Sequence, residues 1–408
     1  MIKKIPVNQL EPGMYVSDFN AGWLNHPFAF NSMMIESEAN VAHVVAAGIR
    51  ELYIDTDKGR DVGDHVPTAP EAARETQAQV MHMAESSRPL APEPRVSLAE
   101  EMSRARNTFG EATRIIRGLM DDIRLGRQIE IATTKPTVEK IAASVMRNSN
   151  AMMTMRRLKG IDDYTFLHSV SVCAMLVSFA KVAQLEINSI HDLALGALLH
   201  DVGKMRVASA VLNKPARLNG EEYLHMKSHV VLGSDLIRQL PGIPALAMEP
   251  IELHHERFDG SGYPKGLKGE EISTAGRMAA IVDVYDAITS DRVYRKGMSP
   301  AAAVQKLFEW SKFHFDPAMM QLFLKSVGIY PVGSLVRLES GRMGVVIEQS
   351  ESHLLTPVVR VMYDGKRQHY LAPEVVDLSR PVGSGGGDQI VGYELPEKFG
   401  IDITRFLM

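Results

Sequence analysis

From about residue 128 to 328 this chain repeats one pattern, apolar residues at helical spacing in run after run. The runs include "FLHSVSVCAMLVSFAKVA", "INSIHDLALGALLHDVGK", "TAGRMAAIVDVYDAITSDR" and "PAAAVQKLFEWSK". So long a stretch of one texture predicts an all-helical domain. After Tyr330-Pro331 the period drops to two in "SLVRLES", "RMGVVIEQ" and "PVVRVMYDGKRQHYL", with Ser340-Gly341 and Asp364-Gly365 as turns. Ahead of the helices, "GMYVSDF" and "RELYIDT" alternate around the helical "SEANVAHVVAAGI", which ends at Gly48. The expected fold class is therefore mainly α: an all-helical domain with a small N-terminal α/β domain and a short C-terminal β extension.

The joints between these parts follow from composition. The α/β domain covers 1–59. Pro67, Pro70, Pro89, Pro92 and Pro94 then interrupt alanine-rich sequence, so 60–96 reads as a linker with a short helix near Glu71–Ala84. Ser97 followed by Glu100 is a capping-box signature opening a connecting helix over 97–127. Its Ile116, Met120 and Ile123 stripe favours packing within the chain, with a homodimer as the alternative. The helical domain spans 128–330 and the β extension 331–380. "GSGGGD" at 383–388 belongs to a tail over 381–408.

Bulk properties narrow the function. A chain of 408 residues exceeds one ordinary core, and a net charge of −4 offers no electrostatic case for a nucleic-acid polymer. The single Cys173 excludes an internal disulfide and suits a reducing compartment. No continuous run of 18 apolar residues occurs, and the apolar part of "MIKKIPV" is too short for a signal peptide. A cytoplasmic protein without membrane insertion is expected.

Of the 14 histidines, seven lie between 168 and 255. Neutral imidazoles with carboxylates suit divalent transition metals, and a carboxylate can bridge two ions. His200-Asp201 closes "DLALGALLHDVGK", where side chains at a helix end can aim at one cavity even though neighbours diverge by about 100°. Gly196 and Ala197 there permit close approach of a neighbouring helix. His191-Asp192, nine residues earlier, is a second His-Asp pair that reads as a solvated helix start. His168 alone reads as a satisfied core histidine. His225 and His229 are four apart and share a helical face, so either could serve a metal. Asp283 and its neighbour Asp286 lie on an apolar helix, where an acid is costly unless paired or metal-bound.

Taken together, "LLHDVGK", "HHERFDGSGYPKG" and "DVYDAITSDRVYRK" resemble the HD-GYP family of bacterial cyclic di-GMP phosphodiesterases. The likeness covers about residues 150–328. "LEPGMYVSDF" and "RELYIDT" resemble a small domain of unknown function often found ahead of HD-GYP domains. The resemblance implies His168, His200, Asp201, His229, His254, His255 and Asp283 as ligands of two divalent ions, Fe or Mn first, with Ni, Co or Zn as alternatives. Asp201 would bridge. His168, His200 and Asp283 would complete one shell, and His229, His254 and His255 the other. Tyr164 stands where three-metal members carry a glutamate, which predicts two ions rather than three; Asp162 and Asp163 flank it.

Two ions about 3.5–4 Å apart can hold a bridging hydroxide and neutralise a phosphodiester. Lys204, four residues beyond His200 and expected on the same helical face, resembles the family lysine that contacts phosphate or the attacking water. Together with Asp201 it forms the implied catalytic pair. Expected substrate contacts are Asp162, Gly262, Tyr263, Arg292 and Arg295. Tyr263 would either stack on a guanine or plug its loop onto the core, and the two arginines would hold guanine or phosphate or else be exposed helix-end charges. The family also connects the Gly-Tyr-Pro loop with diguanylate-cyclase (GGDEF) partners. The implied function is hydrolysis of cyclic di-GMP to pGpG or GMP, with more motility and less biofilm as its consequence. The alternatives are another HD-type nucleotide hydrolase, or a low-turnover cyclic-dinucleotide receptor or partner module using the same site.

Overall fold

The structure, a computed structural model, describes residues 1–20, 31–63, 66–86, 96–158, 164–214, 216, 218–291, 296–350, 353–380 and 387–407. The N-terminal unit contains β1 (Ile2–Pro6), β2 (Tyr15–Asp18), β3 (Met33–Met34), α1 (Glu38–Ala46) and β4 (Glu51–Asp55). Its antiparallel sheet has the order β1-β4-β2-β3. A capping box at Ser37 and Asn40 starts α1, and Gly48 at φ +78° ends its turn. Ile5, Val16, Val44, Leu52 and Ile54 form a core of their own.

The stretch expected as a linker contains the helix expected near Glu71–Ala84, longer by two residues at each end and packed onto the C-terminal sheet. α2 runs Ala69–Ser86, and its Val80 and Ala84 are buried against Val336, Val346 and Val359 of the C-terminal sheet. The prolines fall at its start and beyond its end, which leaves its interior free to hydrogen-bond. α3 (Leu98–Arg124) opens with the expected Ser97–Glu100 capping box. Its buried stripe Ala105, Phe109, Ala112, Ile116, Met120 and Ile123 packs within the chain, mainly against α4 (Thr134–Leu158). Asn148 breaks the helical backbone of α4, and its side chain accepts from Asn150 N and donates to Val96 O.

The bundle continues with α5 (Tyr164–Val182), α6 (Ile187–Leu199), α7 (Ser209–Leu212), α8 (Gly220–Lys227), α9 (His229–Arg238) and α10 (Ala245–Leu253). α11 (Thr274–Thr289), α12 (Pro300–Trp310) and α13 (Pro317–Val327) complete it. α5 is apolar and long enough to cross a bilayer by composition alone, yet it lies buried at the centre of the bundle. The close helix approach expected at Gly196 is present: a Cβ there would meet the Ala247 carbonyl oxygen of α10 at 2.2 Å.

Strands β5 (Leu335–Leu338), β6 (Arg342–Glu348), β7 (Val358–Asp364), β8 (His369–Asp377) and β9 (Ile390–Glu394) form an antiparallel sheet in the order β8-β7-β6-β5-β9. The segment expected as a tail thus supplies an edge strand. Beyond it, Ile401 and Leu407 are buried against Leu335, Met343 and Met362, fixing the segment onto the sheet and the end of α4.

Candidate metal centre

Five short pieces deliver the chemistry to one point. α5 contributes His168, the end of α6 contributes His200 and Asp201, the start of α9 contributes His229, the end of α10 contributes His254 and His255, and α11 contributes Asp283. Ligand atoms of His229, His254 and His255 lie within 4.8 Å of one another, as do those of His168, His200 and Asp283, and those of His200, Asp201 and His254. All are buried except His255, which is partly so. His191 lies in the first turns of α6, outside these groupings.

The hydrogen bonds decide which nitrogen of each ring faces inward. His200 Nδ1 donates to Ala197 O at 2.7 Å, His229 Nδ1 to Met226 O at 2.7 Å, and His254 Nδ1 to Pro250 O at 2.9 Å. Each acceptor is a carbonyl three or four residues earlier, left open where the helical ladder ends. His168 Nδ1 pairs instead with the Asp286 carboxylate at 2.7 Å. Their Nε2 atoms therefore converge: His168 on Asp283 at 3.0 Å, His200 and His229 on Asp201 at 3.4 Å each, and His254 on Asp201 at 4.0 Å. Imidazoles fixed at one nitrogen with the other free are how proteins orient metal ligands.

Electrostatics agree with that geometry. Burial pushes His229 down to about 4 and His254 down to about 3, so both are neutral and carry a lone pair near pH 7. Burial and then His254 hold His255 well below its ordinary value. Burial also opposes charge on His168, but hydrogen bonds to Asp283 and Asp286 outweigh it and raise the ring to about 9. A cation binding at Nε2 would displace that proton. Burial would raise Asp201, yet Lys204 first and then His200 hold it well below the usual carboxylate range.

His200 Nε2, Asp201 Oδ1 and His255 Nδ1 are buried without a hydrogen-bond partner. Orphaned buried polar atoms are costly, and three at one point are what a cation site presents when its ion is not counted. The donor set of imidazole and carboxylate fits divalent transition metals.

Several expectations change in detail. His225 and His229 do not share a helical face, because the chain breaks at Ser228 between α8 and α9; exposed His225 accepts from Ala208 N at 3.2 Å. Lys204 does not continue the face of α6, since α6 ends at Leu199 and Lys204 lies in a 3-10 turn, Val202–Arg206. The turn points its ammonium at the Asp201 carboxylate. That pairing needs Gly203, where a Cβ would stand 1.9 Å from the His229 carbonyl oxygen. Asp162, Asp163, Arg292 and Arg295 lie outside the described residues.

The Gly-Tyr-Pro loop is folded around Glu256, a buried carboxylate that accepts from Lys265 N at 2.8 Å and Leu267 N at 3.0 Å. Gly262 is required because a Cβ would meet the Glu256–Arg257 backbone at 2.3 to 2.6 Å. Tyr263 stacks on His255 with centroids 4.6 Å apart, so its ring is occupied by a site histidine. Tyr164 likewise stacks on His168 at 5.6 Å.

Residues not singled out from sequence support the centre from behind. Arg156 donates to Asp286, which orients His168. Arg156 and Arg157 also line a cavity of about 590 Å³ that borders His168 and Tyr164. The opposite wall is C-terminal, from Pro396 to Thr404. Consecutive arginines next to a long apolar helix were the available signal for the first wall; nothing local marks the second.

A family model for the HD domain matches residues 136–319, and one for a domain of unknown function (DUF3391) matches 2–134. The cyclic di-GMP phosphodiesterase PA4108 of Pseudomonas aeruginosa is 41% identical over 399 residues, which is 97% of this chain and 93% of that protein. A 3′3′-cGAMP-specific phosphodiesterase 2 of Vibrio cholerae is 33% identical over 154 residues, 38% of this chain and 29% of that protein. Among solved structures, Bd1817, a HDG"Y"P protein from Bdellovibrio bacteriovorus, gives a TM-score of 0.46 at 17% identity, over 79% of this chain and 98% of that one.

Proposed function

The chain belongs to the family of HD-domain cyclic di-GMP phosphodiesterases, and from that membership we propose that it hydrolyses cyclic di-GMP to pGpG, GMP or both at the His/Asp cluster. The observation that carries this reading is the convergence of four Nε2 atoms on Asp201 and Asp283, each ring already fixed through Nδ1. In this reading His168, His200 and Asp283 hold one divalent ion, His229, His254 and His255 hold a second, and Asp201 is shared. Fe or Mn come first, with Ni, Co or Zn as alternatives. The stacked ring of Tyr164 supports two ions rather than three. Such a pair supplies an activated water and charge neutralisation at the phosphodiester.

The chain's own groups do the rest. Asp286 keeps the His168 Nδ1 proton on its outer side, so Nε2 faces inward. Asp201 holds the Lys204 ammonium at the rim, where it can donate to a phosphate oxygen as the charge there grows. The cavity beside His168 is large enough for the nucleoside portion that is not being cleaved. Tyr263 keeps His255 in place by stacking, and Gly262 lets the loop close on it. By the same reading turnover lowers cytoplasmic cyclic di-GMP and favours motility over biofilm, and GGDEF proteins are candidate partners of the loop.

The test is hydrolysis of cyclic di-GMP by purified, metal-quantified protein with Mn or Fe(II), products resolved over time, against a His200→Ala/Asp201→Ala double variant. Turnover with about two metals per chain, abolished in the variant, is the expected result. Bound metal without turnover of any cyclic dinucleotide would overturn it.

A further inference from the structure

The root of the Gly-Tyr-Pro loop belongs to the catalytic bundle: Phe258 N donates to His314 O at 2.9 Å, and Glu256 is buried beneath it. Its outer turn, Asp259 to Ser261, lies between that bundle and the N-terminal domain: on the bundle side Asp259 Oδ2 is 3.6 Å from His314 Nδ1. Arg50, just before β4, donates from Nε to Asp259 Oδ2 at 3.0 Å. The other oxygen of Asp259 accepts from Ser261 N at 3.0 Å and Ser261 Oγ at 2.6 Å, so the ion pair and the turn share one carboxylate. Gly48 approaches so closely that a Cβ there would stand 3.0 Å from the Ser261 Cβ. Gly48 and Ile49 also line, with His255, Gly262 and Tyr263, a small cavity of about 50 Å³. One loop thickness separates the N-terminal domain from a site histidine.

That domain is anchored independently of the loop. Glu309 near the end of α12 is buried and accepts from Lys4 Nζ at 2.6 Å, Asn20 Nδ2 at 3.0 Å and Tyr53 OH at 3.1 Å. Trp310 Nε1 donates to Asn20 Oδ1 at 3.2 Å. With one side clamped to α12, the edge carrying Gly48–Arg50 is a fixed surface for the loop to lean on.

We propose that Arg50 is a positioning residue for the phosphodiesterase reaction. Through Asp259 it holds the outer turn, and the turn keeps Tyr263 stacked on His255 so that Nδ1 of His255 stays directed at the cluster. This gives the N-terminal domain a part in building the active site, and it rests on the reading of the site proposed above. Two readouts separate the two ideas. Hydrogen exchange of the 256–267 amides, among them Lys265 N and Leu267 N, follows the loop in metal-free protein and needs no turnover. Steady-state kinetics on cyclic di-GMP follow the chemistry.

Arg50→Ala should speed exchange in the loop about five-fold, as loss of one half-exposed ion pair allows, with α5 and α6 unchanged. It should lower kcat by about the same factor with KM nearly constant, and Arg50→Lys should recover most of both. Unchanged loop exchange in Arg50→Ala would overturn the proposal. So would faster exchange throughout the bundle, which would place Arg50 in the general stability of the fold. Faster loop exchange with unchanged kcat in an active enzyme would overturn its catalytic half. Absence of turnover in the parent protein would instead refute the proposed function.

Discussion

Replacing Gly203 with alanine would place a methyl carbon 1.9 Å from the His229 carbonyl oxygen and 2.5 Å from the Gly233 nitrogen. Ordinary carbon–oxygen contacts begin near 3.3 Å, so the 3-10 turn and α9 would have to separate by about 1.4 Å. Both sides of the contact are main chain, and no side chain can rotate away to relieve it. Overpacking of this kind costs roughly 1–3 kcal/mol, which a domain with about 5–15 kcal/mol of stability survives. Function is less tolerant, because the separation falls between Asp201 and His229, now 3.4 Å apart. A displacement near 1 Å at a reacting centre costs on the order of 100-fold. Gly203→Ala should therefore keep its circular dichroism, melt a few degrees lower, bind less metal and lose about 100-fold in kcat/KM. Gly118→Ala is the matched control: it lies in α3 with nothing within 4 Å of its Cβ, and should stabilise by about 0.5–1 kcal/mol. A Gly203→Ala enzyme with parental kcat/KM and full metal content would refute the argument that this close approach sets the site.

Glu309→Ala should cost about 3 kcal/mol in denaturant unfolding, since Lys4 and Tyr53 would lose their shared partner. Burial would raise Glu309, but Lys306 and Lys4 outweigh it and hold the carboxyl below its ordinary value. Its stabilisation is therefore complete above the ordinary glutamate value of about 4.3 and lost as pH falls through the lower folded value. Glu309→Gln should flatten the stability–pH curve in that acidic window; an unchanged slope would contradict this. Burial raises the Cys173 thiol, so iodoacetamide should label it only through opening of the bundle, and rapid labelling of native protein would contradict its burial. Stripping metal with a chelator should lower the melting temperature, and Mn at a hundred times its Kd should return about 2.7 kcal/mol. Ile403→Trp, in the C-terminal wall of the cavity, should raise KM several-fold with little change in kcat; an unchanged KM would remove that wall from the substrate's path.

Local signals were readable where the structure they encode is local. The Ser97–Glu100 cap, the amphipathic stripe of α3 and the turn-bounded apolar runs of β5 to β7 depend on neighbours a few residues away, and local pattern exposes them, although burial along β6 is continuous rather than alternating. His168, His200, Asp201, His229, His254, His255 and Asp283 were legible as a set through family resemblance; no spacing rule unites positions spread from α5 to α11. What escaped is non-local or turns on a single residue. β9 pairs with β5 more than fifty residues upstream, across a glycine-rich stretch that reads as a tail. The helix of α2 was readable, but its packing was not, because its face is buried by strands encoded much later in the chain. Ser228 breaks a periodic run that otherwise joins His225 to His229, and the 3-10 turn at Val202–Arg206 redirects Lys204, because tertiary contact overrides helical phase.

The orientation of the site histidines has an evolutionary side. His200, His229 and His254 are steered by carbonyls of the main chain, which every residue possesses, so substitution at Ala197 or Met226 leaves the acceptor in place. His168 alone among the four is steered by a replaceable side chain, Asp286, itself held by Arg156. Inheritance thus protects three imidazoles against drift and leaves one adjustable. A change from Asp286 to Asn or Glu would retune the basicity of a single imidazole while the other three stayed as they are, giving selection one dial on an otherwise locked cluster.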